Sequence, residues 1–241
     1  MEVGILTIGD ELLSGDTVNT NAAWLGRQLS DKGVDVSEVV LVSDSVDHIA
    51  PTINDYRTRF DAVIVTGGLG PTHDDLTIEA VARAFDRQLV KDASVIEWLE
   101  QERGYEASNL TPNTALIPEG SIPLHNAEGV APGIHVENVY VLPGVPAEMK
   151  SMFADIADNF EGTDRFTGSL LIDEPESQLV DRINQLRGQF DVDVGSYPGI
   201  NVRIRVIGED QEEVTGAIEW LRGRVKEASS EEGVQPEYRD D

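Results

Sequence analysis

A run of β-branched residues that opens straight into a glycine loop leaves this chain few ways to fold. Val63-Ile64-Val65-Thr66 closes an apolar segment, Asp61 to Thr66, with the length and composition of a strand buried on both faces. Gly67-Gly68-Leu69-Gly70-Pro71 follows, then Thr72-His73-Asp74-Asp75, and from Thr77 a helical pattern runs through Ala80, Val81 and Ala84. Strand, glycine loop and helix start, in that order, place a ligand beyond the strand's carboxyl end in an open parallel sheet. Glycines let backbone N–H groups approach a phosphate, and the helix N-terminus adds partial positive charge. Asp74 and Asp75 are hard oxygen ligands of the kind a divalent cation takes beside that phosphate. The same residues also suit a plain turn followed by an N-cap. Neither Gly-x-x-x-x-Gly-Lys-Ser/Thr nor Gly-x-Gly-x-x-Gly is present, so the rest of the chain has to decide.

Upstream, Val3 to Gly9 reads as a first buried strand, Gly9 to Gly15 as a polar-then-apolar loop, and Asn19-Thr20-Asn21 as the cap of a helix with Ala22, Leu25 and Leu29 on its apolar stripe. Val34 to Val42 is a second strand, followed by Ser43-Asp44-Ser45 and a helix carrying Ile49, Ile53, Tyr56 and Phe60. Downstream come a helix over Asp92 to Gly104, a Pro-, Asn- and Gly-rich stretch from Asn109 to Gly133, a last strand Val139 to Leu142, and a closing helix Ala147 to Phe160. Strands alternating with helices imply right-handed crossovers and a mostly parallel sheet covered on both faces. After Glu161-Gly162 the pattern restarts as a small βαββα unit. Its strands are Gly168 to Ile172, Val192 to Tyr197 and Val202 to Ile207, and its helices Ser177 to Phe190 and Glu212 to Val225. The expected division is a first domain over 1–162, a second over 163–226, and an acidic tail over 227–241, too polar to order itself.

The charge balance narrows the function. The chain carries 45 acidic against 18 basic residues, a formal charge of -27. The acids are spread over every segment, which fits adaptation to molar salt, where a Debye length of about 3 Å screens self-repulsion. Clustered Lys and Arg, the requirement for sequence-independent nucleic-acid binding, are missing. No run approaches the roughly 18 apolar residues of a membrane span, and no basic leader precedes the first strand. The absence of cysteine excludes thiolate catalysis and cysteine-ligated zinc. A soluble cytoplasmic protein is expected.

Five motifs then agree in order and spacing: Gly9-Asp10-Glu11-Leu12-Leu13-Ser14-Gly15; Asn19-Thr20-Asn21; Gly67 through Thr77; Asn126-x-x-Gly129-x-Ala131-Pro132-Gly133; and Leu142-Pro143-Gly144-Val145-Pro146-Ala147-Glu148-Met149. As a set they resemble the CinA family (competence/damage-inducible protein A), built on the molybdopterin-binding MogA/MoaB-like domain, over about residues 2–160. The second unit, with Glu176-Ser177 and Gly195-Ser196-Tyr197-Pro198, is similar to the small KH-like domain that follows in CinA proteins. The resemblance implies a MogA/MoaB-like three-layer αβα sandwich followed by the small domain. Some longer CinA proteins continue into an amidohydrolase domain, and its pyridine-nucleotide deamidation is expected to be absent here.

For activity the resemblance implies metal-dependent hydrolysis of a nucleotide pyrophosphate such as ADP-ribose or FAD, or alternatively binding or adenylylation of molybdopterin. Carried over by motif, Asp75 and Asp44 are metal-binding, with Asp74 a further ligand or a supporting acid. Thr66, Gly67, Gly68, Gly70, Thr72 and the Pro143-Gly144 turn cradle phosphate. Asn19, Thr20 and Asn21 reach ribose or base, and Glu11 positions the attacking water. Asp10 is either part of the site or a turn cap, and Asp44 either a ligand or a surface acid. Two departures bear on the ligand: Asn19 stands where the family pattern commonly has Asp, and Thr111 to Ala115 lacks the usual Asn-x-x-Gln-Ala. The expected cofactor is Mg, Mn or Co, with K and molybdopterin as further candidates. The expected assembly is a homo-oligomer, dimer or trimer, with no nucleic-acid or membrane partner.

Overall fold

The computed structural model describes residues 1–106, 109–111 and 113–228. They form two compact units that meet at Gly162/Thr163. The first unit runs β1 (Glu2–Ile8), α1 (Asp10–Ser14), α2 (Thr20–Asp31), β2 (Asp35–Val42), α3 (Val46–Arg59), β3 (Ala62–Thr66), α4 (Thr77–Ala84), β4 (Leu89–Lys91), α5 (Ala93–Gln101), β5 (Leu116–Pro118), β6 (Ile122–Leu124), β7 (Gly133–Val136), β8 (Val139–Leu142) and α6 (Pro146–Ile156). A six-stranded sheet in the order β2-β1-β3-β8-β7-β6 lies between two helical layers.

The layers follow from the two-residue period of the strands. Val3 and Ile5 of β1, Ile64 of β3 and Leu142 of β8 pack with Leu25, Leu29, Met149, Phe153 and Phe160 on the α2/α6 face. Leu6 and Ile8, Val63 and Val65, and Val139 and Val141 pack with Ile49, Ile53, Tyr56, Ala80 and Val81 on the α3/α4 face. This is the expected three-layer αβα sandwich.

The mostly parallel sheet is as expected; at four places in this unit the structure departs from the sequence expectation or goes beyond it. Gly9 to Gly15 is not a loop but holds the short helix α1, with Asp10 and Glu11 in its first turn and Gly15 ending it at φ +81. Acids at the positive end and a left-handed glycine at the other suffice for a single turn and a half. The sheet is parallel over β2, β1, β3 and β8, then reverses, because β7 and β8 are joined by the tight Glu137-Asn138 turn with Glu137 at φ +53. Strand β8, last in sequence, is therefore interior to the sheet. The short β4, exposed throughout, pairs with β5 and carries no burial pattern that sequence periodicity could detect.

The second unit comprises β9 (Phe166–Ile172), α7 (Glu176–Gln189), β10 (Asp193–Tyr197), β11 (Val202–Gly208) and α8 (Gln211–Arg222), with antiparallel strands in the order β10-β11-β9. Its own core gathers Leu170, Ile172, Leu179, Leu186, Ile204, Val206, Ala217 and Leu221. The tail begins in an ordered way: Glu227 bridges Ile172, and the Ala228 N–H donates to the Leu171 carbonyl at 2.9 Å. The open edge of β9 captures these residues, aided by a Lys226–Asp173 ion pair. Residues 229–241 of the expected disordered tail lie outside the described residues. No helix among the described residues is long and apolar enough to cross a membrane.

Candidate functional site

The carboxyl ends of β1, β3 and β8 open on one edge of the sheet, and backbone contacts lock them together. The Gly67 N–H donates to the Leu142 carbonyl at 3.1 Å. Gly67 has φ +101, and a Cβ there would lie 2.2 Å from the Ile8 carbonyl oxygen. The Gly144 Cα faces Gly67 closely enough that an added Cβ would sit 3.3 Å from the Gly67 Cα. Thr77, fully buried at the start of α4, donates its hydroxyl to the Gly67 carbonyl at 2.8 Å and its N–H to the Gly68 carbonyl at 3.2 Å. With both carbonyls held inward, the loop is a rigid platform.

Asp75 closes the outer part of that platform. Its carboxylate accepts the Gly70 N–H at 2.7 Å, the Thr72 N–H at 2.8 Å and the Thr72 hydroxyl at 2.5 Å. The same hydroxyl lies 2.5 Å from an Asp74 oxygen, and its single proton can serve only one carboxylate at a time. That bond, followed by Asp74's own N–H, draws the exposed Asp74 carboxyl below its usual range. In this state the Gly70 and Thr72 donors, expected to face phosphate, are engaged by Asp75. From sequence Asp75 was expected as a metal-binding catalytic acid or, in the plain alternative, a helix cap; the cap position falls to Leu76, and the part of Asp75 in shaping the loop depends on a chain reversal that spacing does not reveal.

A second group of acids stands at the ends of β1 and β2. Asp10 and Asp44 each receive the other's N–H: Asp10 N–H to Asp44 Oδ2 at 2.8 Å, and Asp44 N–H to Asp10 Oδ1 at 3.3 Å. The Glu11 carboxylate folds over Gly9, where a Cβ would meet it at 2.6 Å. Burial pushes the Asp44 carboxyl up, the Asp10 N–H bond pulls it back, and the charges of Asp10, Glu11 and Asp74 raise it further. Hard oxygens crowded in one another's field suit a cation, which would relieve the repulsion. Among the described residues, no three acids or histidines are already arranged to hold one.

A stability prediction follows from Asp44. A carboxyl raised in the folded state stabilises the fold below its ordinary value of 3.8 and costs stability as pH rises through the folded value. Asp44→Asn is therefore expected to raise the melting temperature of the metal-free protein at pH 7, with the gain shrinking as pH falls toward 3.8. Thermal melts with EDTA across that range check it, and a lowered melting point at pH 7 would contradict it.

The glycine loop, with Tyr105, Asn109, Leu110, Thr111, Asn113, Thr114 and Leu116, lines a cavity of about 450 Å³. Leu69, Pro71 and Ile78 form one wall, and Leu110, Val130 and Pro132 belong to the other. Asp75, Glu79, Asn113 and Thr114 supply polar groups, and no Lys or Arg lines it among the described residues. The far wall escaped the sequence reading. Its only signal was the unusual Thr111 to Ala115 segment, of which Thr111, Asn113 and Thr114 line the cavity.

The remaining expected residues divide. Asn19 turns into the fold: its Oδ1 accepts the Ala22 N–H at 3.1 Å and its Nδ2 donates to the buried Thr7 hydroxyl at 3.0 Å. Asn21 Nδ2 donates to the Gly144 carbonyl at 2.7 Å, tying α2 to the β8 turn. Thr20 is exposed at the first position of α2, Thr66 is buried at the end of β3, and Pro143 is buried beside exposed Gly144.

With this geometry in place, three comparisons are informative. Residues 4–161 match the family model described as "Probable molybdopterin binding domain". A protein of Archaeoglobus fulgidus is 40% identical over 220 residues, covering 90% of this chain and 95% of that one. A CinA-like protein of Frankia casuarinae is 46% identical over 165 residues, which is 64% of this chain and 38% of the longer relative. Among solved structures, a CinA protein of unknown function from Thermoplasma acidophilum superposes with a TM-score of 0.61 at 34% identity, over 66% of this chain and 97% of that one.

Proposed function

This chain belongs to the CinA-like proteins of the molybdopterin-binding-domain family, and from that premise we propose that its first unit hydrolyses a nucleotide pyrophosphate with a divalent cation. One observation carries the reading: a cavity with an apolar wall and a glycine-loop wall is bordered by acids and, among the described residues, lined by His73 but by no Lys or Arg. An apolar wall suits a heterocycle, and the glycine loop lets a phosphate approach the backbone closely, with the Gly70 and Thr72 N–H groups held by Asp75 in this state. A phosphoanhydride carried in without positive charge would be repelled by Asp75 and Glu79. The ligand therefore needs a cation, and a cation bound there offsets the charge that develops on the phosphate oxygens.

The chain's own groups have separable tasks. Thr77 and the Ile8, Gly67 and Leu142 backbone keep the loop from yielding as the ligand changes shape. Asp75 Oδ1, which accepts one N–H, retains a lone pair for a cation. Asp44, with Asp74, would share that cation. Glu11, exposed at the sheet edge, orients the attacking water and takes its proton. Water attacks one phosphorus, the bridging P–O bond breaks, and ADP-ribose would yield AMP and ribose 5-phosphate. Asn19 takes no direct part in this scheme, because both ends of its amide hold the start of α2.

The second reading, binding or adenylylation of molybdopterin, is favoured by the family's description and by the same apolar wall. The deciding experiment is anhydride hydrolysis in molar KCl with ADP-ribose, FAD and NAD, each with Mg²⁺, Mn²⁺, Co²⁺ or EDTA. Turnover that falls at least about a hundredfold on chelation supports the hydrolase. A folded protein that turns over none of them sinks that reading, and molybdopterin binding becomes the one to pursue.

A further inference from the structure

Two side chains, those of Asn126 and Glu148, have no role in the site as described, yet the fold joins them. Asn126 is fully buried. Its Nδ2 donates to Glu148 Oε2 at 2.7 Å and to the Ala131 carbonyl at 2.9 Å, while its Oδ1 accepts the Gly129 N–H at 2.8 Å and the Glu128 N–H at 3.2 Å. All four capacities of the amide are used. Gly129 completes the fit, since a Cβ there would stand 2.5 Å from Glu148 Oε2 and 2.6 Å from Asn126 Nδ2. Any side chain at Gly129 would push the carboxylate away.

The clasp connects the two walls of the cavity. Glu148 lies in the first turn of α6, directly after the Leu142–Val145 turn that holds Gly67 and Asn21. Asn126 holds the loop that carries Val130, Ala131 and Pro132, which line the cavity together with the glycine loop, Ala131 packing against the cluster of Leu69 and Ile78. Neither Asn126 nor Glu148 lines the cavity. We infer that Asn126 and Glu148 are positioning residues that set the separation of the two walls, and with it how tightly a phosphate-bearing heterocycle is held. This rests on reading the cavity as the ligand site. Removing the carboxylate leaves a buried amide donor with one partner fewer and frees the far wall.

The test compares wild type with Glu148→Ala, Glu148→Gln and Gly129→Ala in molar KCl. Gln still offers an acceptor to Asn126, whereas Ala at either position breaks the clasp. Without ligand, amide exchange in Glu148→Ala is expected to rise about tenfold at Glu128 and Gly129 and also at Gly67 and Thr77, with Glu148→Gln near wild type. A rise confined to residues 126–133 would overturn the inference, because a merely local brace gives that result. With FAD or ADP-ribose plus Mn²⁺ as probe, Kd is expected to weaken roughly tenfold to a hundredfold in both Ala variants and to recover in Glu148→Gln. Unchanged Kd with a lowered melting point would also overturn it. If wild type binds neither probe, the reading of the cavity fails, while the exchange pattern still decides whether the clasp couples the walls.

Discussion

Gly67→Ala is expected to destabilise the protein by about 3 kcal/mol or more, a large part of the roughly 5–15 kcal/mol that holds a domain folded. Two costs add. At φ +101 the backbone occupies a region that a Cβ disfavours, and the new methyl would lie 2.2 Å from the Ile8 carbonyl oxygen. That oxygen belongs to the central strand β1 and cannot move without disturbing β3. Relief by shifting Gly67 itself would break its bond to the Leu142 carbonyl and the Thr77 hydroxyl bond. Gly26→Ala in α2 is the matched control, because nothing lies within 4 Å of a Cβ at that position. A helical Gly-to-Ala change there should instead stabilise by up to about 1 kcal/mol. Chemical denaturation at fixed high salt compares them, and a Gly67→Ala midpoint close to wild type would refute the described loop geometry.

Asp75→Ala should have the largest effect on activity, lowering kcat/KM by about a hundredfold or more while shifting the melting point little. The carboxylate holds Gly70 and Thr72, yet Gly70 through Asp74 are exposed, so loosening them removes little buried surface. Stability and function are separable at this residue. Asp75→Asn tests the same bonds more finely. The Gly70 and Thr72 N–H groups approach different carboxylate oxygens, so the amide oxygen serves one and the NH₂ group faces the other; the loop should loosen and activity should stay low. If Asp75→Ala kept full turnover, Asp75 would be neither a cation ligand nor a brace that the reaction needs.

Much of the fold was legible because burial leaves a period. The stripe of Leu25 and Leu29, the alternation of Val63, Ile64 and Val65, and the restart after Gly162 all reflect which face meets the core. Strand neighbours were less legible, since a run such as Val139 to Leu142 looks the same at an edge or in the middle. The site divided in the same way. The glycine loop was visible in composition, but the turning of Asp75 onto Gly70 and Thr72 was not, nor was the commitment of Asn19 to Thr7 and Ala22. Those bonds join residues through loop geometry, which has no period. The far wall of the cavity combines Tyr105, Asn113 and Val130, distant in sequence and of unremarkable type.

The interior position of β8 sets the order in which a growing chain can assemble this molecule. By the time β3 leaves the ribosome, β1 and β2 are already available to it on one side, but its other edge has no partner until Val139 through Leu142 are made. Until then an apolar strand edge stands open and the Gly67 N–H lacks the Leu142 carbonyl. Closing so distant a pair is slow in entropic terms, and it leaves the nascent first unit open to aggregation and to chaperones. The edge that carries the glycine loop is thus among the last parts of the first unit to take shape, and a truncated chain ending before Leu142 would present that loop without its floor.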